Sequence, residues 1–349
     1  MSTTRTADRT GVTARAATRS GGGPVLVAVF VLFLLVAVLA SITLGSKPIA
    51  LGDVVQVLSG NGGAVADRGI IEARVARTAV GVLVGAALAV AGAAMQGLTR
   101  NPLADPGLLG VNAGAALAVV VAIGVFGVGS LTGYVWWAMG GAGLAAVLVH
   151  ALAALAGRGM TPLRLTLAGA AVTAGLASWS SGLLVSSKQS FDSFRFWQVG
   201  TIGGRGIDLV VTVLPFFVVG LVVVLLTVRQ LNALALGDDL ARGLGENVLL
   251  ARAVVALGVA VLCGASTALA GPIGFLGLVV PHVARFVVGP DHRRIIPVCL
   301  VAGPALLLLA DTVGRLVARP SEVQAGIMTA VVGVPFFVLL VRRGRMASL

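Results

Sequence analysis

Long apolar runs separated by brief polar punctuation make up most of the chain. Pro24–Leu44 is the first run, 21 residues, and Ala79–Thr99 is a second without any charge. A helix needs about 20 apolar residues, at about 1.5 Å each, to cross a bilayer core. Pro106–His150 holds no Asp, Glu, Lys or Arg over 45 residues, enough for two such helices, with the break expected near Gly140-Gly141. Leu165–Ser187 and Leu209–Val228 read as the fifth and sixth. Ala253–Ala284 is interrupted by Gly271-Pro272 and reads as two, and Ile295–Val317 and Gly326–Val341 complete a set of ten. Residues 1–23, rich in Thr, Arg, Ala and Gly, read as a disordered cytoplasmic tail ahead of a membrane domain over 24–345. The first run exceeds the about 7–15 apolar residues of a cleaved signal peptide, so it reads as a retained span.

Composition agrees with this pattern. Apolar residues are 58% and charged residues 11%, against about 45–50% and about 25% in a soluble domain. A soluble enzyme, a disordered chain and a disulfide scaffold are all excluded. The expectation is an all-α integral membrane protein.

Charge adds orientation. The formal net charge is +12, from 25 basic and 13 acidic residues. The basic residues stand in ones and twos between apolar runs, the pattern of topology control and not of nucleic-acid binding. Ten spans place both termini on one side. With that side cytoplasmic, sixteen of the 25 basic residues fall inside, Arg252 and Arg285 among them. Nine fall outside: Lys47, Arg68, Arg74, Arg77, Lys188, Arg195, Arg205, Arg315 and Arg319. The bias favours the assignment, but nine outer cations need a reason of their own.

Metal and redox chemistry find no support. Cys263 and Cys299 sit inside apolar runs, and His150, His282 and His292 lack ligand spacing. The 48 glycines suit close helix approach in lipid; Gly85, Gly92 and Gly97 lie along one helix, and Gly169, Gly175 and Gly182 along another.

Three segments break the helical pattern. Asn101–Gly110 carries two prolines in five residues, which no helix continues; it reads as a rigid hairpin or as a gate at a pathway mouth. Gly237–Glu246 reads as a short cytoplasmic helix between glycine turns, and its Leu240 and Leu244 form an i, i+4 apolar pair suited to a docking partner. Asp311 interrupts an apolar run with Arg315 four residues on, a spacing that allows an ion pair.

These stretches, taken together, resemble the permease subunits of ABC importers for iron-siderophores and vitamin B12, over nearly the whole chain. The resemblance is carried by Glu72–Arg77 (EARVAR), Gly85–Gly97, Asn101–Gly114 (NPLADPGLLGVNAG), Leu165–Gly169, Arg195–Gly200, Leu234–Gly245 (LALGDDLARGLG), Gly271–Arg285 (GPIGFLGLVVPHVAR), Pro290–Arg293 and Ala310-Asp311. The Trp197 segment and the NPLADPGLLGVNAG string look most like the ferric-enterobactin branch. The resemblance implies a type II ABC importer permease fold in a bacterial cytoplasmic (inner) membrane, with N- and C-termini cytoplasmic. It implies a second permease subunit, of a different sequence in that branch, two copies of an ABC ATPase carrying ATP-Mg, and a periplasmic or lipid-anchored binding protein that delivers a ferric siderophore.

Residue by residue, the resemblance implies that Arg74, Arg77 and Arg315 meet acidic residues of the binding protein. Gly237, Asp238, Asp239, Leu240, Ala241, Arg242, Leu244, Gly245 and Glu246 match the ATPase-docking loop, within a cytoplasmic segment 229–252. Asn101 and Leu103 match one cytoplasmic gate. Thr161, Pro162 and Leu163 fall where the other gate lies in the vitamin B12 importer, with Pro162 departing from that gate's Ser/Thr character. Near the C-terminus, Glu322-Val323-Gln324-Ala325-Gly326 lacks the proline of the usual E-L-P-x-G stretch.

The chain has no motor of its own. A phosphate-cradling loop needs G-x-x-x-x-G-K-[ST], and neither Lys47 nor Lys188 follows a glycine. The expectation is a transport subunit and not an enzyme, with no cofactor held by this chain. A vitamin B12 or haem permease of the same fold is one alternative. An ion-coupled secondary transporter is another, disfavoured because Asp105, Asp291 and Asp311 lie near span ends. An intramembrane enzyme lacks paired carboxylates or a nucleophile with its base.

Overall fold

The computed structural model describes residues 23–61, 66–155, 161–185, 191, 194, 195 and 197–342. The tail up to residue 22, Arg158, Lys188 and residues 343–349 lie outside the described residues. Among the described residues regular structure is entirely helical. The helices are α1 (Gly23–Thr43), α2 (Leu51–Leu58), α3 (Arg68–Thr99), α4 (Val111–Gly124), α5 (Leu131–Leu155), α6 (Pro162–Val185) and α7 (Ile207–Leu226). They continue as α8 (Val228–Ala235), α9 (Asp238–Gly243), α10 (Val248–Ala270), α11 (Leu276–Val288), α12 (His292–Val317) and α13 (Ala325–Arg342). A 3-10 turn, Pro106–Leu109, precedes α4.

Six helices, α3, α5, α6, α7, α10 and α12, contain stretches long and apolar enough to cross a membrane, and α1, α4, α11 and α13 are apolar but shorter over their described parts. These ten are the ten runs read from the sequence. In a bilayer each helix satisfies its own backbone, which is why apolar runs of this length fold as helices.

α3 is the axis of the bundle. Its 32 residues span about 48 Å, more than the apolar core of a bilayer, and its polar start at Arg68–Arg77 projects beyond the apolar part. It packs against α12, α10, α11 and α7, while α1 lies on α12. Close approach requires glycine: a Cβ on Gly92 would stand 2.0 Å from the carbonyl oxygen of Gly277 on α11.

The long run 106–150 divides elsewhere than expected. α5 passes unbroken through Gly140-Gly141, and the chain turns at Val125–Ser130, where Gly127 has φ 66°. Gly141 is a contact point and not a stop: a Cβ there would lie 2.3 Å from the carbonyl oxygen of Gly114 on α4. The short helices α2 and α8 went unread in the sequence. α6 keeps an open face, with free space around Gly175 and Gly182 and with Trp179 exposed.

Candidate functional site

Two polar clusters lie at opposite ends of the bundle. At the first, Asp311 on α12 is fully buried between two arginines. Arg77 on α3 donates to it through both arms of its fork, Nε to Oδ2 at 2.9 Å and Nη2 to Oδ1 at 2.8 Å. The Nε of Arg315 stands 3.1 Å from Oδ2, the i, i+4 pair read from the sequence. Arg77 also donates Nη1 to Glu322 Oε2 at 2.7 Å. A buried carboxylate persists only when paired and hydrogen-bonded, and a planar guanidinium matches it in bidentate geometry.

The remaining arginine arms close the end of α1. The last carbonyls of a helix have no partner within it and attract cations. Arg315 donates Nη1 to Leu44 O and Nη2 to Ser41 O, each at 3.0 Å. Arg74 donates Nη1 to Ile42 O at 3.0 Å and Thr43 O at 3.1 Å, and Nη2 to Lys47 O at 2.6 Å. The structure therefore turns all three expected docking arginines inward, Arg74 and Arg315 buried and Arg77 nearly so. The Arg315 side chain is 2% exposed and that of Arg77 12%, against 58% for both Lys47 and Arg68. The exposed charges of this end include Lys47, Arg68, Glu72, Arg319 and Glu322; Lys47 pairs with Asp67, Arg68 with Glu72 and Glu322 with Arg77.

At the other end, Gly237 at φ 106° turns the chain from α8 into α9. Asp238 opens α9 and accepts two arginines on one oxygen, Arg100 Nη2 at 3.0 Å and Arg252 Nη2 at 2.8 Å. Arg100 is the left-handed residue that ends α3, at φ 52°. The next residue is Asn101, whose Oδ1 accepts the Leu103 N–H at 2.9 Å and fixes the turn out of α3. The expected ATPase-docking helix is thus bonded directly to the arm that carries one expected gate. Ala241 is buried under α9, while Leu240 and Leu244 are 61% and 59% exposed. Asp239 pairs with Arg242 at 3.1 Å, and Glu246 lies 3.6 Å from Arg229.

After Leu103 the chain folds back into the bundle. Asp105 Oδ1 accepts the Gly107 N–H at 2.8 Å and caps the 3-10 turn; that turn packs on α3, α4, α5, α6 and α10. The second expected gate starts α6. Thr161 stands before the helix, its Oγ1 3.4 Å from the Arg164 N–H. Pro162 holds the first helical position, where proline costs no hydrogen bond. Leu163 is exposed.

Sequence reading missed a buried polar string beneath this end. Arg285 on α11 donates Nη2 to Gln96 Oε1 on α3, and Gln96 Nε2 donates to Gly277 O at 3.3 Å. Asn232 on α8 joins Asp291 Oδ1 at 2.7 Å and receives the His292 N–H at 2.9 Å. Burial alone would raise the Asp291 pKa; the N–H of Arg293, the Asn232 amide and the charges of Arg293 and Arg294 hold it below the ordinary carboxylate range. Arg285 and Arg252 were counted as surface charges at span ends, yet both are buried. The signal for Arg285 was the apolar stretch Phe286–Val288 that follows it.

Among the described residues no group of three or more His, Cys, Asp or Glu could hold a metal ion. The FecCD transport family matches residues 33–343. The chain belongs to the FecCD transport family. Its relatives include the ferric enterobactin transport system permease protein FepD of Escherichia coli, 42% identical over 313 residues, 89% of this chain and 93% of that one. The cobalamin import system permease protein BtuC of Halobacterium salinarum is 41% identical over 269 residues, 77% of this chain and 72% of that one. A solved structure of a metal-chelate type ABC transporter in an inward-facing conformation superposes with TM-score 0.81 at 27% identity, covering 92% of this chain and 99% of that one. This FecCD chain is an integral membrane permease subunit of an ABC importer, and such a permease works with an ATPase and a binding protein.

Proposed function

We propose that the chain carries ferric-siderophore complexes inward across the cytoplasmic membrane of a bacterium, as one of two permease subunits over two copies of an ATPase. It crosses the membrane ten times with both termini cytoplasmic, so the Asp238 end faces the cytoplasm. It is not an enzyme: ATP-Mg binds the ATPase, and this chain transmits the motion. The observation that carries this reading is Asp238 bridging the exposed Leu240–Leu244 helix to Arg100, the residue before Asn101. An ATPase pressing on residues 237–246 pulls on the Asn101–Leu103 arm, and Thr161, Pro162 and Leu163 form the facing gate.

The open, small-residue face of α6 takes the second permease, a different chain of the same family, since lipid alone does not cover glycine and serine efficiently. The binding protein docks on the opposite rim. Arg77 is its most accessible buried-network cation, and an acid of the binding protein replaces Glu322 there; Arg74 and Arg315 hold α1 beneath the docking surface. A siderophore is favoured over cobalamin because similarity to FepD extends over 89% of the chain and that to BtuC over 77%. Uptake of a radiolabelled ferric siderophore into liposomes holding the reconstituted importer tests the reading. Cobalamin uptake in its place would establish the second cargo.

A further inference from the structure

Pro281 leaves a gap inside α11. A helical carbonyl bonds the N–H four residues on, and for Gly277 that residue is Pro281, which has no N–H to give. Within a membrane such a carbonyl is satisfied by a neighbouring helix. Gln96 on α3 supplies the donor: its Nε2 donates to Gly277 O at 3.3 Å and lies 3.4 Å from Leu278 O. The two helices come this close because Gly92, one turn before Gln96, faces Gly277 without a side chain.

Arg285 sets which way the amide points. It stands one turn after Pro281, is 3% exposed, and donates Nη2 to Gln96 Oε1. A guanidinium only donates and a carbonyl only accepts, so Oε1 faces Arg285 and Nε2 faces Gly277. The Nε and Nη1 of Arg285 are buried without a hydrogen-bond partner among the described residues. A buried charge with one neutral acceptor is costly, and an apolar side chain of similar volume would join two helices more favourably. The pair therefore calls for a use other than stability.

The backbone of Gln96 holds the gate arm. Its carbonyl oxygen accepts the Asn101 N–H at 3.2 Å, and Gly97 O accepts the Arg100 N–H at 3.4 Å. With Arg100 left-handed, these two bonds are the Schellman ending of a helix, and they set the direction in which Asn101–Leu103 leaves α3. One residue thus closes the α11 gap with its side chain and holds the arm with its backbone. The far end of α11 is tied to the docking segment. Only Gly289–Asp291 separates α11 from α12, and Asn232 of α8 bonds both Asp291 and His292 there.

We infer that Gln96 and Arg285 are positioning residues of the cytoplasmic gate, a role that rests on Asn101–Leu103 being that gate. They form a second connection from the docking segment to Asn101, through Asn232, the α11–α12 turn, Arg285 and Gln96, beside the direct bond of Asp238 to Arg100. Pro281 makes the connection releasable: the bond that joins α11 to α3 is a side-chain bond, and breaking it costs the α11 ladder nothing further.

Leu103→Cys in the complete importer, reconstituted in liposomes, reads the gate. A thiol reagent on the ATPase side labels it, mass spectrometry of its peptide gives the rate, and Cys263 and Cys299 are buried. With Gln96 and Arg285 in place the rate should change when ATP is added. Gln96→Met keeps the volume and removes the amide; it should abolish that change and lower uptake about tenfold while ATP hydrolysis continues. Arg285→Met should act in the same direction. A response to ATP that survives in both variants leaves the gate standing and overturns the role. Labelling indifferent to ATP with both residues in place overturns the gate itself, and the role with it. Pro281→Ala separates positioning from gap filling, because it returns a helical N–H to Gly277 O. Gln96→Met in that background should melt closer to the wild type than Gln96→Met alone, and carries the measurement should the single variant fail to assemble. It should still lack the response to ATP; recovery of the response would make Gln96 a plug for the gap and overturn the role.

Discussion

Asp238 on α9 and Arg100 at the end of α3 share a hydrogen bond of 3.0 Å across 138 residues of sequence. The same carboxylate oxygen holds Arg252, at the base of α10, at 2.8 Å. One acid therefore ties the outermost helix of this end to the two long helices at the centre of the bundle. Removing it should separate docking from transport. Asp238→Asn should still bind the ATPase through Leu240 and Leu244, while uptake falls about tenfold with ATP hydrolysis retained. Parallel uptake and hydrolysis assays on one preparation check this; equal loss of both would place Asp238 in docking itself.

Leu240 on α9 and Leu244 just after it are largely exposed. Leu240→Glu with Leu244→Glu should leave the folding stability within about 0.5 kcal/mol of the wild type, as a surface change does. It should abolish co-purification of the ATPase, because interface cores tolerate apolar anchors and exclude charge. A pull-down with tagged ATPase decides it.

Asp311 neutralises Arg77 and Arg315 in a buried site. Asp311→Asn leaves Arg315 without its counter-charge and Arg77 with Glu322 alone, and should cost about 3–5 kcal/mol. Differential scanning fluorimetry in detergent reads it as a lowered midpoint. Arg68→Glu, on an exposed residue whose partner Glu72 is also exposed, should leave the midpoint nearly unchanged.

Docking and packing arginines separate by salt. Arg77→Glu should weaken binding-protein association most at low ionic strength, and should also lower the melting point, because it sets a second acid against the buried Asp311. Arg74→Glu should instead destabilise the chain at all salt concentrations, because it loses three backbone acceptors, two at the end of α1 and one in the loop that follows. Surface plasmon resonance across a salt series distinguishes the two; a salt-dependent loss at Arg74 with an unchanged melting point would reverse the assignment.

Asp291 starts α12 and its carboxyl is held below the usual carboxylate range. A depressed folded pKa gives stability that is complete above the unfolded value of about 3.9 and lost as pH falls through the folded one. Asp291→Ala should therefore be less stable than the wild type by about 1 kcal/mol, the cost of a lost cap, and melt earlier. The gap should stay constant between about pH 5 and pH 8, where both states of the wild-type group are ionised. Melting curves at several pH values check it.

Apolar run length was enough to place ten apolar helices, six of them long enough to span, and the Gly271-Pro272 break, because in a bilayer the backbone has no alternative to hydrogen bonding within the segment; the short helix after Gly237 was legible from its flanking glycines and leading acids. It misplaced the turn between α4 and α5, since Gly140-Gly141 looks like a break in one dimension and is a helix crossing in three. The Asp311–Arg315 pair was legible because it is local. Arg77 with Asp311 and Glu322, Asp238 with Arg100, and Arg285 with Gln96 join residues far apart in sequence, and no spacing rule reaches them. Arg74 and Arg315 were legible as unusual outer cations, but their partners are backbone carbonyls, which carry no mark in a sequence.

The central claim is that ATP hydrolysis in a partner drives a ferric complex through this chain by way of the 237–246 loop. Uptake of labelled ferric siderophore should be measured in liposomes containing the permease pair, ATPase and binding protein, with ATP on the ATPase side. Uptake that stops when ATP, the ATPase or the binding protein is omitted is the predicted result. Equal uptake without ATP or without the ATPase would contradict the account.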